Sequence, residues 1–168
     1  MAKAFLSTLL ANRGVPAEVA SAGLLSGGAS LPDETRDALS RHGIKGFDLG
    51  SFRSTQLTDG QISEADLVLG LAREHVREMI VRVPDSWDRT FTLKELVRRG
   101  GAVGPVRRDE SLAQWLARVS VERTRGDLLG ASNDDDVIDP GGGPPSGFDL
   151  TATEIRGLCG ALARLLWP

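Results

Sequence analysis

Tyrosine is absent from this chain of 168 residues, cysteine occurs once, and lysine occurs three times against 17 arginines. A single cysteine excludes an internal disulfide framework and suits a reducing cytoplasm, where we expect the protein to reside. No stretch of the sequence approaches the roughly 20 apolar residues of a membrane span. The opening run 4–11 (AFLSTLLA) resembles a signal-peptide core, but Asn12 and Arg13 follow it without a small-residue cleavage site. We therefore expect no membrane partner.

A strongly basic surface is also absent. The net charge is −3 and the sequence pI is about 5.4, with arginines scattered along the chain rather than clustered. These values argue against nucleic acid or anionic lipid as a partner. The hydrophobic fraction of 40% and the charged fraction of 26% are ordinary for globular proteins. The length and the lack of a linker predict a single domain over residues 1–168.

Apolar periodicity and turn residues divide the chain into alternating helices and strands. Ala65–Leu69 has the clearest strand pattern, because its nearly continuous apolar run is typical of a strand covered on both faces. Capping-box patterns begin at Thr92 and Thr151. The predicted elements, in chain order, are helix 2–10, strand 19–20, helix 30–39, strand 65–69, helix 73–82, helix 92–100, helix 112–119, strand 137–138 and helix 151–165.

This order of elements predicts an α/β fold in which helices sandwich a doubly wound, mainly parallel sheet. A parallel α/β sheet normally has a strand that leads into its first helix, whereas the pattern here starts with a helix. We therefore expect the usual first strand to be absent from this chain.

The most informative segment runs from Asp134 to Phe148 and contains an Asp-Pro pair followed by glycines and prolines. Val137 and Ile138 predict a short strand that ends at Asp139. Pro140 stops this strand, because proline lacks an amide donor and restricts the preceding residue to extended conformations. A carboxylate at the carboxyl end of a strand lies where open α/β sheets place their chemistry. The alternative is a solvated surface turn.

Five short segments form a series of landmarks along the chain, namely Val19–Leu24 (VASAGL), Leu39–Ile44 (LSRHGI), Phe52–Leu57 (FRSTQL), Ala65–Leu69 (ADLVL) with His75 after it, and Asp136–Pro140 (DVIDP). Together they resemble the low-molecular-weight protein tyrosine phosphatase family over nearly the whole chain. A further segment, Thr90–Leu96 (TFTLKEL), resembles an arginine-rich bacterial branch of that family. Each motif is weak alone, but five in order with compatible spacing are a strong signal.

The resemblance implies a phosphotyrosine phosphatase I-like fold and hydrolysis of phosphomonoesters without metal or other cofactor. In the family, a cysteine thiolate on a C-x5-R-[ST] loop attacks phosphorus, and the arginine and backbone amides of the loop hold the phosphate. An aspartate in an Asp-Pro loop protonates the leaving oxygen. The matching acid here is Asp139. The nucleophile and the arginine have no counterpart, because Met1–Ala4 aligns with the helix that follows the loop.

Other candidate residues have structural explanations. Cys159 lies on the apolar stripe of the last predicted helix and is expected to be buried and inert. His42 is predicted at a helix end and His75 on a polar helix face, neither at metal-ligand spacing, so we expect no metal site. The carboxylates of Asp134–Asp136 alternate in direction along an extended segment and are predicted to be solvated.

The sequence departs from the family around the substrate. Gly141 and Gly142 stand where the family usually has an aromatic residue, and Phe52 and Thr55 stand where histidine and arginine are frequent. These departures argue against recognition of an aromatic phosphoester. A phosphorylated protein or a small phosphoester remains the expected substrate if the phosphate loop is restored.

Four functions are compatible with these patterns to different degrees. The first is a phosphatase whose gene encodes the phosphate loop upstream of Met1, and the chain as given is then inactive. The second is a non-catalytic pseudophosphatase that acts as a binding or regulatory module. A thioredoxin-coupled arsenate reductase would need more cysteines than Cys159. A phospho-acceptor receiver domain would need a lysine later than Lys94.

The absence of a first strand has a consequence for association. It would leave the strands near Val19–Ala20 and Ala65–Leu69 with unpaired edges, and exposed edges promote association between chains. We therefore expect the chain to be marginally stable and to self-associate through these edges.

Overall fold

The structure is a computed structural model that describes residues 1–44, 48–129 and 133–168. Its helices are α1 (Ala2–Asn12), α2 (Asp33–Arg41), α3 (Asp59–Glu64), α4 (Arg73–Arg82), α5 (Leu93–Val103), α6 (Leu112–Val119) and α7 (Pro145–Leu166). Its strands are β1 (Val68–Gly70) and β2 (Thr90–Thr92), and short 3-10 helices cover Pro84–Arg89 and Arg125–Leu128. The chain divides into two compact units. The helical unit is Met1–Leu57 with Ile138–Ala163, and the sheet unit is Thr58–Val137 with Arg164–Pro168.

A parallel strand pair organises the sheet unit. Strand β1 pairs with β2 in the register Val68 to Thr90, Leu69 to Phe91 and Gly70 to Thr92. Parallel neighbours need a crossover connection, and α4 and the 3-10 helix Pro84–Arg89 supply it. All three residues of β2 are buried. The structure therefore confirms the predicted α/β class with a parallel sheet.

Strand β1 is shorter than predicted. The apolar run suggested Ala65–Leu69, but Ala65 is the C-cap of α3, so regular pairing starts only at Val68. Val68 and Leu69 are half-buried rather than covered on both faces. Strand β2 was not predicted at all, because a strand of three residues is too short to establish a period-two pattern.

Two other predicted strands do not form. Around Val19–Ala20 the nearest pairing is an isolated bridge between Gly23 and Gln56, and Ala20 is exposed. A single bridge does not continue into the repeated pairs that define a strand. Association through strand edges therefore stays a prediction that rests on β1 alone.

The predicted strand Val137–Ile138 is also wrong. Val137 is buried and its amide donates to the carbonyl of Leu71 at 2.8 Å, but Ile138 is 77% exposed. One backbone hydrogen bond anchors the chain here without a ladder. The sequence could not separate these cases, because two adjacent β-branched residues fit an anchored loop as well as a strand.

Helix α1 packs with α2 and α7 in the helical unit. The ring of Phe5 meets the ring of His42 edge to face, with 6.0 Å between centroids. Arg13 donates from Nη1 to the carbonyl oxygen of Ala163 at 3.3 Å, and Arg41 pairs with Asp149 at 2.9 Å. Buried residues recur at helical spacing on all three helices, as the amphipathic patterns predicted. Among the described residues, we find no helix that is long and apolar enough to cross a bilayer.

A buried arginine joins three elements of the sheet unit, namely the 3-10 helix Pro84–Arg89, β2 and α5. The side chain of Arg123 is fully buried, and its Nε donates to Glu95 at 2.7 Å. Its Nη atoms donate to the carbonyl oxygens of Trp87 at 2.9 Å and Thr90 at 2.7 Å. The guanidinium lies 3.8 Å from the ring centroid of Trp87 and 4.0 Å from that of Phe91. Glu95 therefore holds a cation in the core instead of completing the capping box predicted from Thr92.

Helix α5 runs past its predicted end at Gly100–Gly101 and stops at Gly104, whose φ is +84°. Gly100 is buried because α6 and the end of α7 approach it closely. A Cβ at this position would lie 2.8 Å from Cζ2 of Trp115 and 2.9 Å from Cδ1 of Leu165. A Cβ on Gly101 would meet nothing within 4 Å. Close packing therefore requires glycine at position 100, whereas no packing contact requires it at position 101.

Neutralising the side chain of Glu95 tests the buried ion pair. We expect Glu95→Gln to lower the free energy of unfolding by about 3–5 kcal/mol, because it leaves Arg123 buried without its counter-ion. Urea unfolding gives the value. Glu78→Gln, at an exposed position of α4, is the matched control and should stay within about 0.5 kcal/mol of the parent. Equal effects of the two variants would contradict this role of Glu95.

The adjacent glycines provide a second test. Gly100→Ala should destabilise the protein by about 1–3 kcal/mol through overpacking. Gly101→Ala should stabilise it by about 0.5–1 kcal/mol, because alanine is the better helix former and has open space there. Thermal unfolding of both variants beside the parent checks the opposite signs. Stabilisation by Gly100→Ala would show that Trp115 and Leu165 are not packed against Gly100 as described.

Candidate active site

The predicted acid lies on an exposed loop of the helical unit. Asp139 accepts a hydrogen bond from the backbone amide of Gly141, with 2.9 Å between N and Oδ1. This Asx turn holds the carboxylate against its own loop. The next turn follows at once, because the amide of Gly143 donates to the carbonyl of Pro140 at 2.9 Å. The local sequence thus presents a carboxylate to solvent in a defined orientation.

The glycines after Asp139-Pro140 are required by the shape of this loop. Gly142 has φ +73°, where residues with a side chain are strained. A Cβ on Gly143 would lie 3.0 Å from the carbonyl oxygen of Pro140, and a Cβ on Gly141 would lie 3.2 Å from Asp139 Oδ1. In this conformation a side chain at position 142 would be strained by the positive φ, and a Cβ at position 141 or 143 would crowd Asp139 or Pro140.

Helix α7 begins earlier than predicted and supports the acid loop. It starts at Pro145, not at the capping-box pattern of Thr151. Proline is favoured at the first helical position, and this is the signal that could have identified the true start. Thr151 is instead a helix residue whose hydroxyl donates to the carbonyl oxygen of Ile138 at 3.1 Å. Sequence reasoning missed this contact, which fixes the residue before Asp139.

Two of the three carboxylates in the acidic run Asp134–Asp136 are not solvated as predicted, whereas Asp134 is exposed. Asp135 is buried and forms a bidentate pair with Arg98, at 2.9 Å to Nη2 and 3.2 Å to Nε. Oδ1 of Asp136 accepts from the backbone amide of Arg73 at 2.7 Å, at the start of α4. Lys94 donates to the carbonyl oxygen of Asp136 at 2.6 Å. An acidic run is solvated only when no cation or free amide lies within reach, and here the fold supplies both.

Cys159 is placed as predicted, in the core of the helical unit. It is 2% exposed, and its Sγ lies 3.9 Å from the carbonyl oxygen of Ala2. Burial raises the pKa of the Cys159 thiol to about 11, with the neighbouring amino terminus opposing the shift. A thiol with this pKa is almost fully protonated at neutral pH and is a poor nucleophile.

The structure does not bring Cys159 and Asp139 together. Thr151 contacts the residue before Asp139, and Cys159 lies two helical turns further along α7, about 12 Å at 1.5 Å per residue. His42 is the C-cap of α2, as predicted. His75 lies on α4 with 39% of its side chain exposed, near Glu74. Within the described ranges no group of three metal-ligating side chains occurs.

Comparison with known proteins identifies the family. The sequence profile of the family described as "Low molecular weight phosphotyrosine protein phosphatase" matches residues 1–107. This chain belongs to that family. No curated protein sequence matches the chain significantly.

Solved structures agree with this assignment. The low molecular weight protein tyrosine phosphatase of T. tengcongensis is 25% identical, with a TM-score of 0.71 over 98% of this chain and 88% of that one. The YwlE arginine phosphatase of Geobacillus stearothermophilus is 25% identical, with a TM-score of 0.65 over 97% and 83%. The Erwinia amylovora tyrosine phosphatase AmsI, 15% identical with a TM-score of 0.70 over 99% and 83%, shares the fold.

The raised pKa of Cys159 predicts a pH dependence of stability. The neutral thiol is favoured in the folded state, so its contribution is complete below the unfolded pKa of 9.0 and is lost as pH rises towards about 11. The parent should lose about 2–3 kcal/mol relative to Cys159→Ala across this range. Urea unfolding of both proteins between these pH values measures the difference, and no tyrosine titrates in the same window.

A constant difference between parent and Cys159→Ala over this pH range would contradict the burial of the thiol. Labelling with a thiol reagent provides an independent check. Cys159 should react only as fast as the protein unfolds, because the buried protonated thiol must be exposed first.

Proposed function

We propose that this chain provides the scaffold and the general acid of a phosphatase that acts on phosphorylated proteins or small phosphoesters. The observation that carries the proposal is the exposed carboxylate of Asp139 on a turn fixed by Gly141 and Pro140. Family membership supports phosphomonoester chemistry. A general acid must be exposed to the substrate and oriented before it arrives, and the acid loop meets both requirements.

The proposed role of Asp139 is to donate and then recover one proton. A thiolate attacks phosphorus, the phosphorus–oxygen bond to the leaving group breaks, and Asp139 protonates the departing oxygen. The aspartate then takes a proton from water, whose oxygen attacks phosphorus; the phosphorus–sulfur bond breaks, and phosphate and the thiolate are released. One carboxylate oxygen of Asp139 accepts a hydrogen bond from the amide of Gly141, so the other oxygen is available to carry the proton.

We further propose that Cys159 takes no part in this chemistry. It is buried against the carbonyl of Ala2 and its thiol pKa is raised. The nucleophile we propose is the cysteine of a C-x5-R-[ST] loop encoded upstream of Met1. Such a loop supplies the arginine and backbone amides that an entering phosphate dianion requires.

The shape of the acid loop supports a substrate that is bound without aromatic stacking from this side. A side chain at Gly142 would be strained by the positive φ, and a Cβ at Gly141 or Gly143 would crowd Asp139 or Pro140. The two relatives at 25% identity carry the names tyrosine phosphatase and arginine phosphatase. Both p-nitrophenyl phosphate and phosphoarginine are therefore appropriate assay substrates.

Two proteins test the proposal, namely residues 1–168 and the same chain preceded by its in-frame upstream sequence. We expect the first to hydrolyse p-nitrophenyl phosphate no faster than buffer, with or without Cys159→Ser. We expect the second to be active. Asp139→Asn should then lower kcat by about 10²–10⁴-fold, with a smaller effect on KM, because the acid acts in the transition state.

Asp37→Asn is the matched control, since Asp37 is an exposed carboxylate on α2 in the same unit. It should leave kcat unchanged. Turnover by residues 1–168 that is lost in Cys159→Ser would overturn the assignment of Cys159. A stop codon directly before Met1, without the loop motif in frame, would reject the upstream nucleophile and favour the non-catalytic binding module.

A further inference from the structure

The sheet unit contains a polar cavity of about 400 Å³. It opens where β1 and β2 end and where the helices that follow them begin, since Arg73 starts α4 and Thr92 caps α5. This edge of a parallel sheet is where α/β folds usually bind ligands. Its volume lies within the usual range of small-molecule sites.

The charged side chains around this cavity almost all neutralise one another. Arg98 forms the bidentate pair with Asp135. Arg99 pairs with Asp127 at 3.1 Å and with Glu95 at 3.2 Å. Glu95 is shared with the buried Arg123, so none of these groups needs a further counter-ion.

Two lining side chains are left over, and they carry opposite charges. Arg73 and Glu122 both line the cavity. Neither side chain has a hydrogen bond or an ion pair in the part of the chain that the structure describes, and they do not pair with each other. The cavity therefore presents one free guanidinium and one free carboxylate.

The balance of charges limits what such a cavity can bind. A simple anion would meet four carboxylates, and a simple cation would meet three guanidinium groups. A molecule with a separate carboxylate and ammonium group matches both free charges and adds no net charge. Guanidinium is well suited to a carboxylate, because its parallel N–H groups bind both oxygens.

We propose that this cavity binds a small zwitterion of the amino-acid class, with its carboxylate at Arg73 and its ammonium group at Glu122. This proposal does not rest on Asp139 or on the proposed hydrolysis. It gives the sheet unit a ligand of its own.

Amino acids of increasing length test the proposal on the 168-residue chain. The probes are glycine, 4-aminobutyrate and 6-aminohexanoate, with butyrate and butylamine as singly charged controls. Amide chemical shifts followed by NMR should saturate for at least one zwitterion with a Kd of about 1 mM. The length that binds best measures the distance between the two charges. The singly charged controls should bind at least about tenfold more weakly.

Variants then assign the two charges. Arg73→Gln and Glu122→Gln should each weaken the best zwitterion by at least about tenfold. Arg77→Gln and Glu78→Gln, which change exposed charges on α4 outside the cavity, should leave its affinity unchanged. Glu122→Asn provides a second variant if the first unfolds, because asparagine tolerates the positive φ at this position.

Three outcomes would overturn the proposal. The first is no saturable shift with any zwitterion at about 10 mM, which would make Arg73 and Glu122 ordinary solvated residues. The second is binding of butyrate as tightly as 4-aminobutyrate, which would indicate an anion site. The third is zwitterion binding that is unaffected in both Arg73→Gln and Glu122→Gln.

Discussion

The buried guanidinium of Arg123 sets the arrangement of the sheet unit. Taking a charge out of water costs several kcal/mol, and this cost is recovered only when the counter-ion and every donor are satisfied together. Glu95, two backbone carbonyls and two aromatic faces meet that condition. These partners lie on the 3-10 helix Pro84–Arg89, on β2 and on α5. A shift of any one of these elements would therefore break a hydrogen bond to the buried guanidinium. A short sheet of two strands thereby gains a rigid centre.

This constraint extends outward to the surface. To direct Arg123 inward, the preceding turn places Glu122 at φ +63°, a conformation that costs a residue with a side chain about 1–2 kcal/mol. Glu95 also lies 3.2 Å from Arg99, which in turn pairs with Asp127. The pairing of these charges follows from the core, and it leaves Glu122 and Arg73 as the unmatched pair at the cavity. The charges that we propose for ligand binding therefore depend on the ion pair between Glu95 and Arg123, which is not itself available to the ligand's charged groups.

Long periodic segments of the sequence predicted the fold well, and isolated contacts were not predictable. Helix α4 was predicted with its observed bounds, and Cys159 was placed in the core, because apolar spacing reports burial directly. The burial of Asp135 depends on Arg98, a residue 37 positions away that no local pattern identifies. The positions of Pro140 and the glycines predicted an irregular loop, but only the structure shows that Gly141 holds Asp139.

The site that the sequence predicted contains a candidate general acid but no nucleophile. An aspartate can deliver a proton only to an oxygen whose bond to phosphorus is already weakening, and a nucleophile must cause that weakening. Cys159 cannot take that role by rotating its side chain, because it lies about 12 Å further along a rigid helix than the residue that supports the acid loop. Lowering its pKa would require exposing the face of α7 that packs in the helical unit. The acid loop is formed without any contribution from a nucleophile, since Gly141, Pro140 and Thr151 fix it locally. For the general-acid role that we propose for Asp139, a loop preformed in this way still requires a thiolate and an anion-binding loop to complete the chemistry.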